Sequence, residues 1–401
     1  MPPRDAPFGP AELASVFGAP GESTGLPCSA YVSLEVFAWE MERFFDRSWV
    51  CVGRSSELSR PGDQLAAPAG SEAVLLVRGA DQVLRAFFNV CHHRGHELLQ
   101  RSEATCRGTI QCPYHAWVYD LDGRLRGAPG FQGLDRDEFG LSPVRVAEWD
   151  GWAFVNTSAD APELAEHVGN LEDLIRDHEP ERLIVGAEHH YVVQANWKIA
   201  HENYHECYHC SNIHPELCTV TPPDSGIDIA ATGAWSGGSM DLRPHAATMS
   251  LTGESGGTPL RGLSEEQRRQ VLYLGLVPNL LISLHPDYVL VHRLTPLGPD
   301  RTAVECRWLF SPEDAASDGF DPSYAVDFWH TTNQQDWNAI ESVQRGVGSR
   351  GYRPGPLSLR EGCVRAFDII VAQGYLTGRL AAPPADDTAA AGLELSRALG
   401  S

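Results

Sequence analysis

The sequence predicts an α+β protein of more than one domain, a small antiparallel β domain followed by a larger domain mixing sheet and helix. Three observations carry that reading. With 401 residues and 42% hydrophobic content, the chain is long enough for at least two packed cores. Between Cys51 and Thr157 short strand-like runs alternate with Gly, Pro and Asp. Further on, Asn196–Leu217 is patterned as a helix with potential ligands too dense for an ordinary surface helix, and Phe320–Val347 carries apolar residues at helical spacing.

Charge and cysteine content narrow the function. Lys+Arg total 31 against Asp+Glu 53, a net charge of −22. That balance argues against nucleic acid or an anionic membrane surface as partner and is compatible with a cationic small molecule. No apolar run is long enough to cross a bilayer, and the opening MPPRDAPFGP lacks the basic segment and apolar core of a secretion signal. The expected location is the cytoplasm. The ten cysteines therefore read as buried thiols or metal ligands rather than a disulfide framework, and Cys207, Cys210 and Cys218 receive no role.

Taken in order, residues 1–30 are rich in Pro, Gly and Ser and read as an arm or irregular lead-in. Leu34–Trp49 places Phe37, Met41, Phe44 and Phe45 at helical spacing. Strands are expected over Ala73–Arg78, Val83–Val90, Thr109–Tyr119 and Trp152–Asn156. Two ligand pairs lie among them, Cys91-His92-His93 and Cys112-Pro113-Tyr114-His115. Each offers one thiolate and one imidazole from a loop after a strand. Two cysteines on one iron and two histidines on the other would hold a two-iron, two-sulfide cluster; a structural zinc on Cys2His2 is the competing reading. Gly95 and Pro113 favour the cluster by letting the backbone turn toward bridging sulfides, with Trp117 as a shield. His92 and His96 stand outside the ligand set.

A charged helical segment, Ala159–Leu183, leads into the second domain, and a strand at Tyr191–Gln194 precedes NWKIAHENYHECYHCSNIHPEL. If Asn196 caps a helix running to about Cys210, Glu206 and His209 share a face, and His214 swings back beyond the turn at Pro215. Two imidazoles then share one ion. A carboxylate from elsewhere would complete the two-histidine, one-carboxylate set that leaves positions open on ferrous iron; a solvated histidine-rich helix or a structural zinc is the alternative. In Phe320–Val347, a helix starting at Asp-Pro, Asp336 falls on the apolar side, where it is either ligated or costly to bury. Asp327 and Glu341 fit the solvated face. Trp235–Gly253 and Val277–Leu294 read as sheet, the latter as two strands joined near Pro286-Asp287.

Cys-x-His followed by Cys-x-x-His, with Glu206-Cys-Tyr-His209-x4-His214 beyond, resembles the Rieske non-haem iron oxygenases over roughly residues 30–380. The resemblance implies an antiparallel β Rieske [2Fe-2S] domain at 41–158, after an arm and the start of the first helix at 1–40. It implies a helix-grip (START-like) mononuclear iron domain at 159–380 and a tail of little structure at 381–401. Cys91, His93, Cys112 and His115 would hold the cluster, and His209, His214 and Asp336 the Fe(II). Glu206 stands where the family usually has Asp, as the bridge that carries electrons from the cluster of a neighbouring subunit, which implies an oligomer, most often a homotrimer. The runs ENYHECYHC, NLLISLHPDYVLVHRL and ESVQRGVGSRGYRPGPLS look most similar to the branch acting on quaternary ammonium compounds such as glycine betaine and proline betaine. That implies O2-dependent N-demethylation with formaldehyde release, and electrons from NAD(P)H through a separate flavin and iron-sulfur reductase. A methylated cation is recognised by aromatic faces, for which Tyr204, Trp235 and Tyr288 are the candidates. An aromatic-ring-hydroxylating dioxygenase remains the alternative, a hydroxylase of another small substrate is a more distant one, and a pure electron carrier would not need the second iron site.

Overall fold

In the computed structural model, which describes residues 5–100 and 104–383, the chain divides into two compact units. One is Met41–Leu164; the other joins the residues up to Glu40 to those from Ala165 onward. The tail expected at 381–401 lies, from residue 384, outside the described residues. Among the described residues no helix is long and apolar enough to cross a membrane.

The Met41–Leu164 unit is built on a seven-stranded antiparallel sheet. Its order is Val50–Arg54, Trp152–Asn156, Pro143–Trp149, Leu84–Phe88, Glu72–Arg78, Asp63–Ala69, Ala104–Cys106. A second sheet of three short strands, Ile110–Gln111, Val118–Tyr119 and Leu125–Gly127, stands beside it. The single strand expected over Thr109–Tyr119 is thus two. Residues 112–117 leave the ladder as a closed loop, with the Cys112 amide donating to the Trp117 carbonyl at 2.8 Å. Leu75, Val77, Phe87, Leu98, Trp117 and Tyr119 form one apolar core, with the Cys91 and Cys112 side chains inside it.

In the other unit seven antiparallel strands run in the order Ile184–Val193, Arg301–Phe310, Tyr288–Gly298, Leu280–Leu284, Gln270–Leu276, Trp235–Asp241, Ile227–Asp228. The hairpin expected at Pro286-Asp287 is present, joining two of the most buried strands. Ile184–Val193 extends well before the predicted Tyr191 because it pairs along nearly its whole length with Arg301–Phe310. Among the described residues, three helices of eight residues or more pack on this scaffold: Trp197–Tyr204, the 25-residue Ser323–Val347, and Gly362–Thr377, which the sequence reading did not identify. The arm is folded rather than irregular. Short helices at Pro10–Leu13 and Ser29–Val32 bury Leu13, Ala30 and Tyr31, and Thr24 bridges to Pro356.

A buried ion pair ties the Leu34–Glu40 helix to the first of the three packing helices. Lys198 Nζ sits 2.7 Å from Glu40 Oε1, with both side chains 0% exposed; Trp197 Nε1 donates to Glu40 Oε2 at 2.9 Å, and the Tyr375 hydroxyl donates to Oε1. Removing one member of such a pair strands a charge in low dielectric. Lys198→Met is expected to lower unfolding free energy by about 3–5 kcal/mol, read from the denaturant midpoint; a loss within error of zero would show that the pair is not buried.

Candidate metal centres and active-site cavity

Cys91 and Cys112 head two loops with one hydrogen-bond scheme. The Cys91 amide donates to the His96 carbonyl and the Gly95 amide to the Cys91 carbonyl; the Cys112 amide donates to the Trp117 carbonyl and the Ala116 amide to the Cys112 carbonyl. The fifth residue of each loop has positive φ, +72° at Gly95 and +56° at Ala116. Ala116 takes that conformation at a cost of about 1–2 kcal/mol, so the surrounding loop must impose it. The two thiols are buried at 1% and 2% exposure. Burial raises the Cys91 pKa, and the Tyr119 hydroxyl lies 3.2 Å from its sulfur.

His93 and His115 are less deeply set, edge to face with ring centroids 4.6 Å apart. His93 also stacks on Trp117 at 5.0 Å. Two sulfur donors inside and two imidazoles nearer the rim fit a cluster with one shielded iron and one close to solvent. The neighbouring histidines are engaged elsewhere: His92 with Ser142 at 3.1 Å, His96 with the Glu97 carbonyl at 2.5 Å.

The second centre is assembled by a broken helix. Asn196 caps as expected, its side chain accepting from the Lys198 amide at 3.0 Å, but the helix ends at Tyr204 instead of near Cys210. The cause is local. His205 turns its ring back onto the His201 carbonyl, and the Glu206 carboxylate accepts from the Tyr208 amide and, at 3.2 Å, from the His209 amide. That side-chain turn, not a shared helix face, brings Glu206 Oε1 against His209 Nδ1. A four-residue helix, Cys210–Ile213, then delivers His214.

Asp336 comes from the Ser323–Val347 helix. Its Oδ1 lies 2.9 Å from His214 Nε2 and 3.5 Å from His209 Nε2, and the two imidazole nitrogens are 3.2 Å apart. Both outer nitrogens are occupied, His209 Nδ1 by Glu206 and His214 Nδ1 by Gln335 Oε1 at 2.7 Å. If both Nδ1 atoms carry the proton, three lone-pair atoms converge with nothing to donate between them. Ligands bound at right angles on an ion at about 2.1 Å lie on the order of 3 Å apart, so the set fits a facial divalent site.

Without an ion the electrostatics favour a proton on His209, which a bound cation would have to displace. Burial lowers the basicity of His209, but Asp336 and Glu206 more than reverse it, raising the pKa to about 9. Burial pushes the Asp336 carboxyl up, and the two imidazoles outweigh that, holding it below the ordinary carboxylate range. Carboxylate-oriented histidines of this kind are the usual outer support of a metal site.

Cys210 sulfur also lies within 4.8 Å of both imidazoles. It is bonded to Cys207, so it offers no thiolate, and the expectation of free thiols here is corrected for this pair. Gln335, which in turn donates to Glu216 at 2.9 Å, was missed by the sequence reading. Its only signal was its place beside Asp336.

The three convergent atoms face a cavity of about 260 Å³, lined also by Tyr204, Tyr208, Tyr273, Trp329 and Arg360. Of the three aromatics expected at the pocket, Tyr204 is on the cavity lining. Trp235 and Tyr288 are not: both are 0% exposed and lie in the core. Tyr288 donates its hydroxyl to the Met249 carbonyl at 2.8 Å and accepts from Trp329 Nε1 at 2.8 Å, so it fixes the aromatic that does reach the cavity. Tyr204, Tyr273 and Trp329 form a connected wall, with ring centroids 5.9 and 6.2 Å apart.

Comparison with known proteins bears on both centres. The family model for the Rieske [2Fe-2S] domain matches residues 48–138, and that for the ring hydroxylating alpha subunit (catalytic domain) matches residues 180–376. The chain is 39% identical to the carnitine monooxygenase oxygenase subunit of Escherichia coli K12, over 83% of this chain and 87% of that protein. It is 32% identical to the glycine betaine monooxygenase oxygenase subunit of Chromohalobacter salexigens, over 83% and 81%. Among solved structures it superposes on the quaternary ammonium Rieske monooxygenase CntA with TM-score 0.78 and 28% identity, covering 90% of this chain and 98% of that one.

Proposed function

The chain belongs to the Rieske oxygenase α-subunit family, and from that premise we propose that it oxidatively removes an N-methyl group from a small quaternary ammonium compound. The observation that carries the reading is the juxtaposition of an aromatic wall with a three-donor metal site in one small cavity. A methylated cation has no hydrogen to donate, so Tyr204, Tyr273 and Trp329 would hold it by their ring faces. The volume is below the usual range of about 300–1,000 Å³ for drug-sized ligands, which suits a compact amine better than a fused-ring arene.

In this proposal Cys91, His93, Cys112 and His115 hold the [2Fe-2S] cluster, and His209, His214 and Asp336 the ferrous ion. When bound, these groups supply stepwise electron delivery and activation of O2. Residue roles follow from the geometry. Glu206 and Gln335 fix the two imidazoles with their inner nitrogens toward the ion, and the aromatic wall presents an N-methyl carbon to it. Oxidation of that carbon consumes O2, two electrons and two protons and yields an N-hydroxymethyl cation and water. The C–N bond then breaks, releasing formaldehyde, a proton and the tertiary amine. The electrons would come from NAD(P)H through a separate flavin and iron-sulfur reductase, and would cross between subunits of a cytoplasmic homotrimer by way of Glu206.

Incubation with a surrogate reductase and a panel of betaines tests this directly. Formaldehyde in step with amine loss is expected; no formaldehyde, with hydroxylation of a simple arene instead, would overturn it. Trp329→Ala is expected to raise KM for a trimethylammonium substrate about 10- to 30-fold, the scale of a desolvated cation–π contact, with a smaller change in kcat. An unchanged KM would remove Trp329 from the cation site.

A further inference from the structure

Besides its aromatic wall and its carboxylates, the cavity has one guanidinium among the described residues. Arg360 lies on its lining, on the loop preceding the Gly362–Thr377 helix. Its Nη2 donates to the Pro223 carbonyl at 2.9 Å, and its guanidinium carbon lies 5.4 Å from the centroid of the Tyr208 ring. Pro223 and Tyr208 both line the same cavity, so the charged end of Arg360 is held at the cavity wall by two of its neighbours.

Arg360 forms no ion pair among the described residues, although Asp224 and Asp228 line the cavity with it. Asp228 is engaged by other neighbours: its Oδ1 accepts from Cys363 Sγ at 3.1 Å, and its carboxylate packs against Gly362 at the start of the Gly362–Thr377 helix. The guanidinium thus keeps donors uncommitted in a chain of net charge −22. Arginine presents a planar fork suited to a carboxylate.

We propose that Arg360 is the anion subsite of this cavity, reading the carboxylate of a zwitterionic substrate whose methylated ammonium rests on the Tyr204, Tyr273 and Trp329 wall. This rests on the quaternary ammonium reading and sharpens it. It names the residue that would favour betaines, with an anionic tail, over cations with a neutral tail such as an alcohol or ester. Arg360 acts on specificity; it takes no part in the oxidation.

The test compares glycine betaine with its methyl ester, which keeps the trimethylammonium group and loses only the negative charge. Dissociation constants for the full-length, metal-loaded enzyme are read by calorimetry, and formaldehyde is measured in parallel. The wild type is expected to bind the zwitterion more tightly. Arg360→Gln should erase about 10- to 30-fold of that preference, the range for a charge-assisted contact that is partly solvated. Arg360→Lys should retain part of it, and Arg360→Glu should invert it in favour of the ester. Because Arg360 is exposed, these variants are expected to fold, and the ester supplies an internal control for cation binding. Equal affinity of the wild type for both compounds, or equal losses for both in Arg360→Gln, would overturn the subsite. Preference for the zwitterion that disappears in Arg360→Gln, with no formaldehyde from either compound, would support the subsite and overturn N-demethylation. Formaldehyde without any charge preference would do the reverse.

Discussion

Asp336→Ala is expected to lower iron from about three atoms per chain to about two, the [2Fe-2S] content alone, and to reduce formaldehyde formation by about 1000-fold or more. The carboxylate is the only one of the three convergent donors that bears a negative charge, and its oxygen lies within 3.5 Å of both imidazole nitrogens. Without it, two neutral imidazoles remain to hold a divalent ion in a mostly buried site, and a facial set of three becomes a pair. The visible absorption of the cluster should be untouched, since none of its proposed ligands lies near in sequence. Iron and visible absorption measured on one preparation decide the matter. Retention of three irons with full activity would remove Asp336 from the ligand set.

Glu206→Gln separates holding the ion from feeding it. The amide oxygen can still accept from His209 Nδ1, but the uncharged side chain cannot reproduce the carboxylate's contacts with the Tyr208 and His209 amides as well. Loss of such an outer support costs about 10- to 100-fold in metal affinity or activity. At saturating iron the variant should therefore still load, while reoxidation of a chemically reduced cluster by O2 and substrate slows about 100-fold. The readout is the decay of the reduced cluster in a single turnover, which excludes the reductase. If decay keeps the wild-type rate and only iron affinity falls, Glu206 orients His209 and carries no electron.

The candidate ligands were more legible in the sequence than the geometry that brings them together. Cys91, His93, Cys112, His115, His209 and His214 stand in short, dense runs, and such spacing survives any uncertainty about element boundaries. Asp336 needed the long helix to be read correctly, and its apolar flanks made that possible. The break after Tyr204 was hidden, because the residues that stop the helix are ordinary helix formers whose side chains fold back onto the backbone. The loop between Cys112 and Trp117 was likewise masked by strand-like residues on both sides.

The cavity aromatics were the least visible part. Tyr288 and Tyr273 both occupy strands of one sheet, and only pairing and register decide which ring faces the core and which the cavity. Trp329 and Gln335 share the helix of Asp336, but which of its residues meet the cavity depends on how that helix rests on its neighbours. Arg360, on an irregular loop, carried no pattern at all.

Anomalous diffraction at the iron absorption edge, from crystals of the iron-loaded protein, tests the whole account most directly. It predicts one peak among His209 Nε2, His214 Nε2 and Asp336 Oδ1, and an unresolved or paired peak bounded by Cys91, Cys112, His93 and His115. Zinc at either position, or iron held away from Asp336, would contradict it.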